Sequence, residues 1–206
     1  MRGSSGVLVL VYAALLAACV PTSGIKPVDA LSAVSAGHTV LVGRVELHPA
    51  LKPGEQKLGD SYKEFADEAL LIVDEELRPV PQFRRGDLGE RIDAPFGRLF
   101  FVELPAEPTY ILKGWVVMDA QVEVVGPNEP PPDPAAPLAG AFKLDLKPGD
   151  RAVYIGTIQY YRDEFFSTQK VVVKDDYAAA NEEFQRKFGK GVALRKALAV
   201  PVSASE

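Results

Sequence analysis

From residue 39 to residue 173, proline and glycine cut the chain into short apolar runs, and this punctuation limits the possible folds more than any other feature. A helix needs a longer uninterrupted stretch, whereas period-two alternation over a few residues marks a strand with one buried face. Residues 39–47 are rich in β-branched side chains and end by alternating, with Val45 and Leu47 around Glu46. Residues 69–73 form an apolar run between acids, and 80–83 a weaker one that Pro79 and Pro81 confine to a sheet edge. Residues 99–104, 110–118 and 121–125 follow, the last alternating at Val122 and Val124. Phe142, Leu144 and Leu146 alternate with Lys143, Asp145 and Lys147. After the turn signal Pro148-Gly149-Asp150, residues 152–161 return and 171–173 close the series. About eight short strands with such turns predict a mainly β chain, an antiparallel β-sandwich.

One segment near the end breaks the pattern. Tyr177, Ala180, Phe184 and Phe188 fall on one helical stripe, with Glu182 and Glu183 opposite. Asp175 or Asp176 can cap its start and Gly189 can end it. The reading is an amphipathic helix packed on the sheet by its aromatics. Residues 126–137 hold six prolines, so they are stiff and cannot carry a strand ladder. A loop over 126–138 inside one domain is expected rather than a linker. The portion after it has too few strands to bury two faces alone.

Composition removes several function classes. With 28 acidic against 23 basic residues the net charge is −5, which argues against nucleic acid as a partner. It argues equally against a polybasic clamp on anionic headgroups. Cys19 is the only cysteine, so no disulfide or thiolate zinc site is available and stability must come from a core.

That cysteine sits in a motif. Met1 and Arg2 open a positive start, and residues 7–18 are apolar but too short to span a bilayer, which takes ~20 residues. Leu16, Ala17, Ala18 and Cys19 then resemble the bacterial lipobox. Small side chains there admit a peptidase and the thiol accepts diacylglycerol. The resemblance implies a signal peptide over 1–18, cleavage before Cys19 and a lipid anchor on it. One acyl chain binds marginally, at ~0.8 kcal/mol per methylene, whereas two or three hold durably. Val20, where an aspartate would favour inner-membrane retention, points to the outer membrane. Residues 19–36 then read as a tether able to lift the domain tens of ångströms, at ~3.3 Å per residue. An ordered segment around residues 27–34 is its alternative. The domain would run over 37–200, with a tail at 201–206.

Three further resemblances concern the body. Leu104 and Tyr110, and Leu146 and Tyr154, bracket turns similar to the tyrosine corners of immunoglobulin-like and transthyretin-like sandwiches. In the second copy Leu146-Lys147-Pro148-Gly149 places Tyr154 two positions late. The Val-Gly-Arg-Val of residues 42–45 resembles the opening of a proteobacterial lipoprotein family, and that resemblance implies no activity. Small sandwich lipoproteins of secretion machines sometimes carry a late stretch similar to Tyr154-Ile155-Gly156.

Catalytic constellations are sparse. No Gly-x-Ser-x-Gly occurs, and the two histidines, His38 and His48, flank one strand. Ten extended residues set them ~30 Å apart, too far to share a metal. Asp74, Glu75 and Glu76, and Glu64, Asp67 and Glu68, read as solvated faces rather than calcium or glycosidic sites. Arg84, Arg85, Arg91 and Arg98 read as loop salt bridges. Trp115, Tyr110, Tyr160, Tyr161, Phe165 and Phe166 are core by default. If alternate members face out, they make a sugar- or protein-binding patch. No catalytic residue, cofactor or metal ligand is expected. The expected function is a membrane-anchored, non-catalytic binding or structural module of the cell envelope, with a protein partner. Two alternatives stand beside it: a carboxylate-dependent hydrolase of sugar or peptidoglycan, and a small apolar-ligand carrier.

Overall fold

The computed structural model describes residues 25–52, 68–74, 90–118, 121–125, 137–162 and 168–203. The leader with Leu16, Ala17, Ala18 and Cys19 lies outside them. So do the 80–83 strand, most of the proline-rich segment, Glu64, Asp67, Glu75, Glu76, Arg84, Arg85, Phe165 and Phe166.

The chain is mainly β. Its strands are β1 (His38–His48), β2 (Glu68–Asp74), β3 (Glu90–Pro95), β4 (Leu99–Pro105), β5 (Thr109–Met118) and β6 (Gln121–Val125). There follow β7 (Pro137–Leu144), β8 (Ala152–Arg162), β9 (Thr168–Lys174), helix α1 (Tyr177–Phe188), β10 (Arg195–Lys196) and β11 (Val200–Ser203). One sheet runs β10-β8-β1-β4, with β9 also on β8. The other runs β11-β7-β5-β2-β3, with β6 also on β5.

The first sheet is not antiparallel throughout, which corrects the expectation. β1 and β8 pair in parallel, as do β10 and β8, while every pair of the second sheet is antiparallel. Hydrophobic alternation is blind to strand direction, because side chains point to alternate faces either way. What parallel pairing does favour is burial on both faces. Accordingly β8 is buried without a break from Ala152 to Tyr160.

Burial on both faces has two sources. Leu41, Val45, Phe100, Val153 and Ile155 of the first sheet meet Leu71, Ile92, Ile111, Phe142 and Leu144 of the second in one cluster. On the outward face Val40, Val42, Phe101 and Tyr154 pack under Ala180 and Phe184 of α1. The inner contact is close: a Cβ on Gly43 would stand 2.5 Å from Phe100 Cζ.

The helix keeps its expected stripe, with Ala180 and Phe184 buried and Phe188 edge-on to Phe101 at 5.3 Å. Its cap divides the two aspartates. Asp175 Oδ1 accepts the Tyr177 N–H at 3.0 Å, while Asp176 pairs with Lys174 at 2.9 Å. Gly189, at φ 82°, ends the helix.

Other boundaries shift. The described part of the expected tether is ordered: Ile25 N–H donates to Arg91 O and Val28 N–H to Phe101 O, both at 2.8 Å, and Val28 is buried. Proline and serine there do not prevent packing, because their neighbours Ile25 and Val28 find apolar pockets on the two clusters. The expected tail is in part β11, whose Val202 is buried and which pairs with β7. The expected 126–138 loop gives up its end, since β7 begins at Pro137. Arg91 belongs to a strand and not a loop. Arg91-Ile92-Asp93-Ala94 alternates, with Ile92 and Ala94 buried and Arg91 Nε donating to Asp93 Oδ1 at 3.1 Å.

Candidate functional surface

The outward face of the first sheet has a covered half and an open half, and one irregularity decides what the open half displays. Val42 pairs with Tyr154 but Arg44 pairs with Thr157, so β8 carries an extra residue at Gly156, where φ is +105°. Such a bulge resets alternation. Before it Val153 and Ile155 point inward; after it Ile158 and Tyr160 do. Thr157, Gln159 and Tyr161 therefore turn outward. A side chain at position 156 would meet Val173 Cγ1 at 2.5 Å, so glycine is required there for space as well as backbone.

Arg44 marks the border of the helix-covered half, its Nη2 donating to Glu183 Oε2 at 3.3 Å. Beyond it two registered rows cross β1, β8 and β9. They are Glu46, Gln159 and Val172, then His48, Tyr161 and Lys170. Tyr161 Oη donates to Gln159 Oε1 at 3.0 Å, and Gln159 Nε2 donates to Glu46 Oε2 at 2.8 Å. The same carboxylate oxygen lies 3.2 Å from His48 Nε2. His48 closes the circuit by stacking on Tyr161, with ring centroids 5.1 Å apart at 22°. Lys170 Nζ lies 5.8 Å from the Tyr161 centroid.

Geometry limits what this surface can hold. β1 and β9 flank β8, so His48 and Lys170 occupy opposite faces of the Tyr161 ring. Neither face is bare for stacking on a sugar, and the ring stands edge-out, 37% exposed. Among the described residues the other exposed large hydrophobic is Val200, in β11. Below the rows Arg162 is buried and holds the chain leaving β1, donating to Pro49 O at 2.9 Å and Ala50 O at 3.2 Å. The surface is thus a pre-ordered row of imidazole, phenol and ammonium over a carboxylate and an amide. That suits polar contact with a macromolecule, where Tyr supplies rigid area at low entropy cost.

At the far end of β1 lies a crevice of about 280 Å³ between the turn from Ser35 to His38, Ala106 and the turn from Gly149 to Arg151. Here the Ser35 N–H, at 2.8 Å, holds the Glu103 carboxyl below its ordinary value. Burial raises Asp150, but hydrogen bonds from Arg195 and the Lys147 N–H outweigh it and the net shift is downward. The hydrogen bond from Lys196, helped by the Tyr177 N–H, likewise lowers Asp175.

The two histidines therefore sit at opposite ends of one strand, as their spacing predicts. Tyr160 is wholly buried and Tyr161 exposed, while Tyr110 is half-buried at the start of β5. Trp115 lies in β5 opposite Leu70 and Val124. Arg98 falls in the β3–β4 corner. Glu46, Gln159 and Lys170 escaped sequence reading, and a glycine inside the Tyr-Ile-Gly-Thr-Ile run was the available signal of a parity change. Among the described residues no group of three His, Cys, Asp or Glu could hold a metal ion, and no helix is long and apolar enough to cross a membrane. Comparison with known proteins finds no match to a family, to a curated protein or to a solved structure.

Proposed function

We propose that the protein is a lipid-anchored envelope module of the β-sandwich kind, immunoglobulin-like or transthyretin-like. It acts by binding a protein partner and not by catalysis. The core shared by the two sheets supports the sandwich. The leader and Leu16, Ala17, Ala18 and Cys19 support the anchor, and palmitate labelling that Cys19→Ser should abolish tests it. One observation carries the binding role: Tyr161 is held edge-out between His48 and Lys170 on the half of the face that α1 leaves open.

The hydrolase alternative needs a carboxylic acid with a raised pKa facing a second carboxylate. Instead Glu103, Asp150 and Asp175 are all lowered, and Glu46 faces an amide and an imidazole. The carrier alternative needs an apolar cavity of ~300–1,000 Å³. The crevice at the far end of β1 holds about 280 Å³, and the open hollow of about 440 Å³ on α1 is lined mostly by polar residues, Asn181, Glu182, Gln185, Arg186 and Lys190. The test is a photocrosslinking side chain at position 161 or 170 in intact envelopes. A discrete protein adduct from both, with none from exposed position 182 on α1, is expected. Adducts absent from both positions would overturn the assignment.

A further inference from the structure

Where the lipid-bearing residue joins the body determines which end of the body looks at the membrane. Only five residues, 20–24, separate Cys19 from Ile25. Fully extended, that connection reaches at most about 20 Å. Ile25 itself is pinned, by its N–H to Arg91 O and by packing on the inter-sheet core.

The direction of approach follows from register. Pro27 bridges Val102 in the antiparallel sense, and Val28 N–H bonds Phe101 O. Read backwards from Val28, the chain therefore runs toward the Pro105 end of β4. Pro105 pairs with His38, at the start of β1. The same end holds the β4–β5 turn with Ala106 and the Lys147-to-Arg151 turn that enters β8. His48, Tyr161 and Lys170 lie at the other end of the eleven-residue β1, roughly 30 Å away.

We infer that the protein stands on its membrane on the β4–β5 and β7–β8 turns, held there by a short leash, and presents the His48–Tyr161–Lys170 row away from the lipid. This rests on the proposed lipidation of Cys19 and deepens it by assigning the lipid-facing surface. Charge at that end is mixed, with Glu107 exposed in the β4–β5 turn, and most of the other acids there are engaged. Glu103 is engaged by the Ser35 N–H, and Asp145 and Asp150 by Lys147 and Arg195. Lys26 and Arg151 are exposed nearby. The leash sets the orientation, and no intrinsic affinity of the turns for lipid is needed.

The test uses full-length lipidated protein in phosphatidylethanolamine/phosphatidylglycerol vesicles carrying a headgroup acceptor dye. Because the thioether occupies Cys19, Glu107→Cys, Lys147→Cys and Gln169→Cys each offer one labelling site. Energy transfer from positions 107 and 147 should exceed that from 169 several-fold. About twenty Gly/Ser residues inserted between Gly24 and Ile25 should erase the difference. Protein that does not float with vesicles overturns the anchor and the orientation together. Protein that floats with equal or reversed transfer overturns the orientation alone. An asymmetry that survives the insertion overturns the leash as its cause.

Discussion

Along β1 and β8, Val40, Val42 and Tyr154 are core because α1 lies over them, whereas Glu46, His48 and Tyr161, a few residues on, border water around the buried Gln159 amide. Both halves belong to one sheet and share one inner face. They differ in what occupies the outward side, and the side-chain chemistry follows. Under the helix the sheet offers apolar atoms whose stabilisation comes from area removed from water. Beyond it the side chains are polar, and they satisfy one another across strands instead of waiting for a ligand. Rigidity in the open half thus comes from hydrogen bonds and stacking, in the covered half from packing. A surface ordered before any partner arrives loses less entropy on contact.

The sharpest way to break this contrast is a pair of truncations. Phe184→Ala under the helix should cost ~3–5 kcal/mol, as for other buried phenylalanines. Tyr161→Ala should cost under ~1 kcal/mol. Urea denaturation measures both, and similar losses would mean that the open half is core as well. Next comes the bulge. Gly156→Ala forces a side chain against Val173 at a φ of +105° and should cost ~1–3 kcal/mol. If it is instead neutral, the parity change on which the outward row depends is not held by Gly156.

Smaller effects sharpen the open half. Gln159→Leu removes the donor to Glu46 and the acceptor for Tyr161, and should cost ~1–2 kcal/mol at neutral pH. It should also loosen Tyr161, seen as faster ring averaging by NMR. Acid should act at the crevice end. Asp150 and Glu103 are held below their ordinary values in the folded state, so the stability they confer is present above the unfolded carboxylate range and is lost as pH falls through the folded values. Tm should therefore drop below about pH 4. Asp150→Asn should lower Tm at pH 7 and flatten that acid limb; an unchanged limb removes the Arg195 contact as a contributor. The smallest effect is on α1, where breaking the exposed Arg186–Glu182 pair should cost ~0.3–0.5 kcal/mol.

Much of the fold was legible locally. The strand at 121–125 coincides with β6, and those at 39–47, 69–73, 99–104, 110–118 and 152–161 lie within a residue of their observed limits. β3 was hidden because Arg91 and Asp93 drew attention to charge while Ile92 and Ala94 carried the period. β10 and β11 were hidden because two- and four-residue strands hold too little pattern to read. Of the candidate surface, Tyr161 and His48 were visible as residue types. Their meeting was not.

By itself the sequence determined the mainly β character, the one amphipathic helix among the described residues and the two ends of β1 marked by histidine. Each follows from the chain's own periodicity and punctuation, which act between near neighbours. Tertiary structure alone decided that β1 and β8 run parallel, that the bulge turns Tyr161 out and Tyr160 in, and that Ile25 is pinned beside Arg91. Those outcomes depend on which strands become neighbours, and backbone pairing between distant segments leaves almost no imprint on local side-chain order.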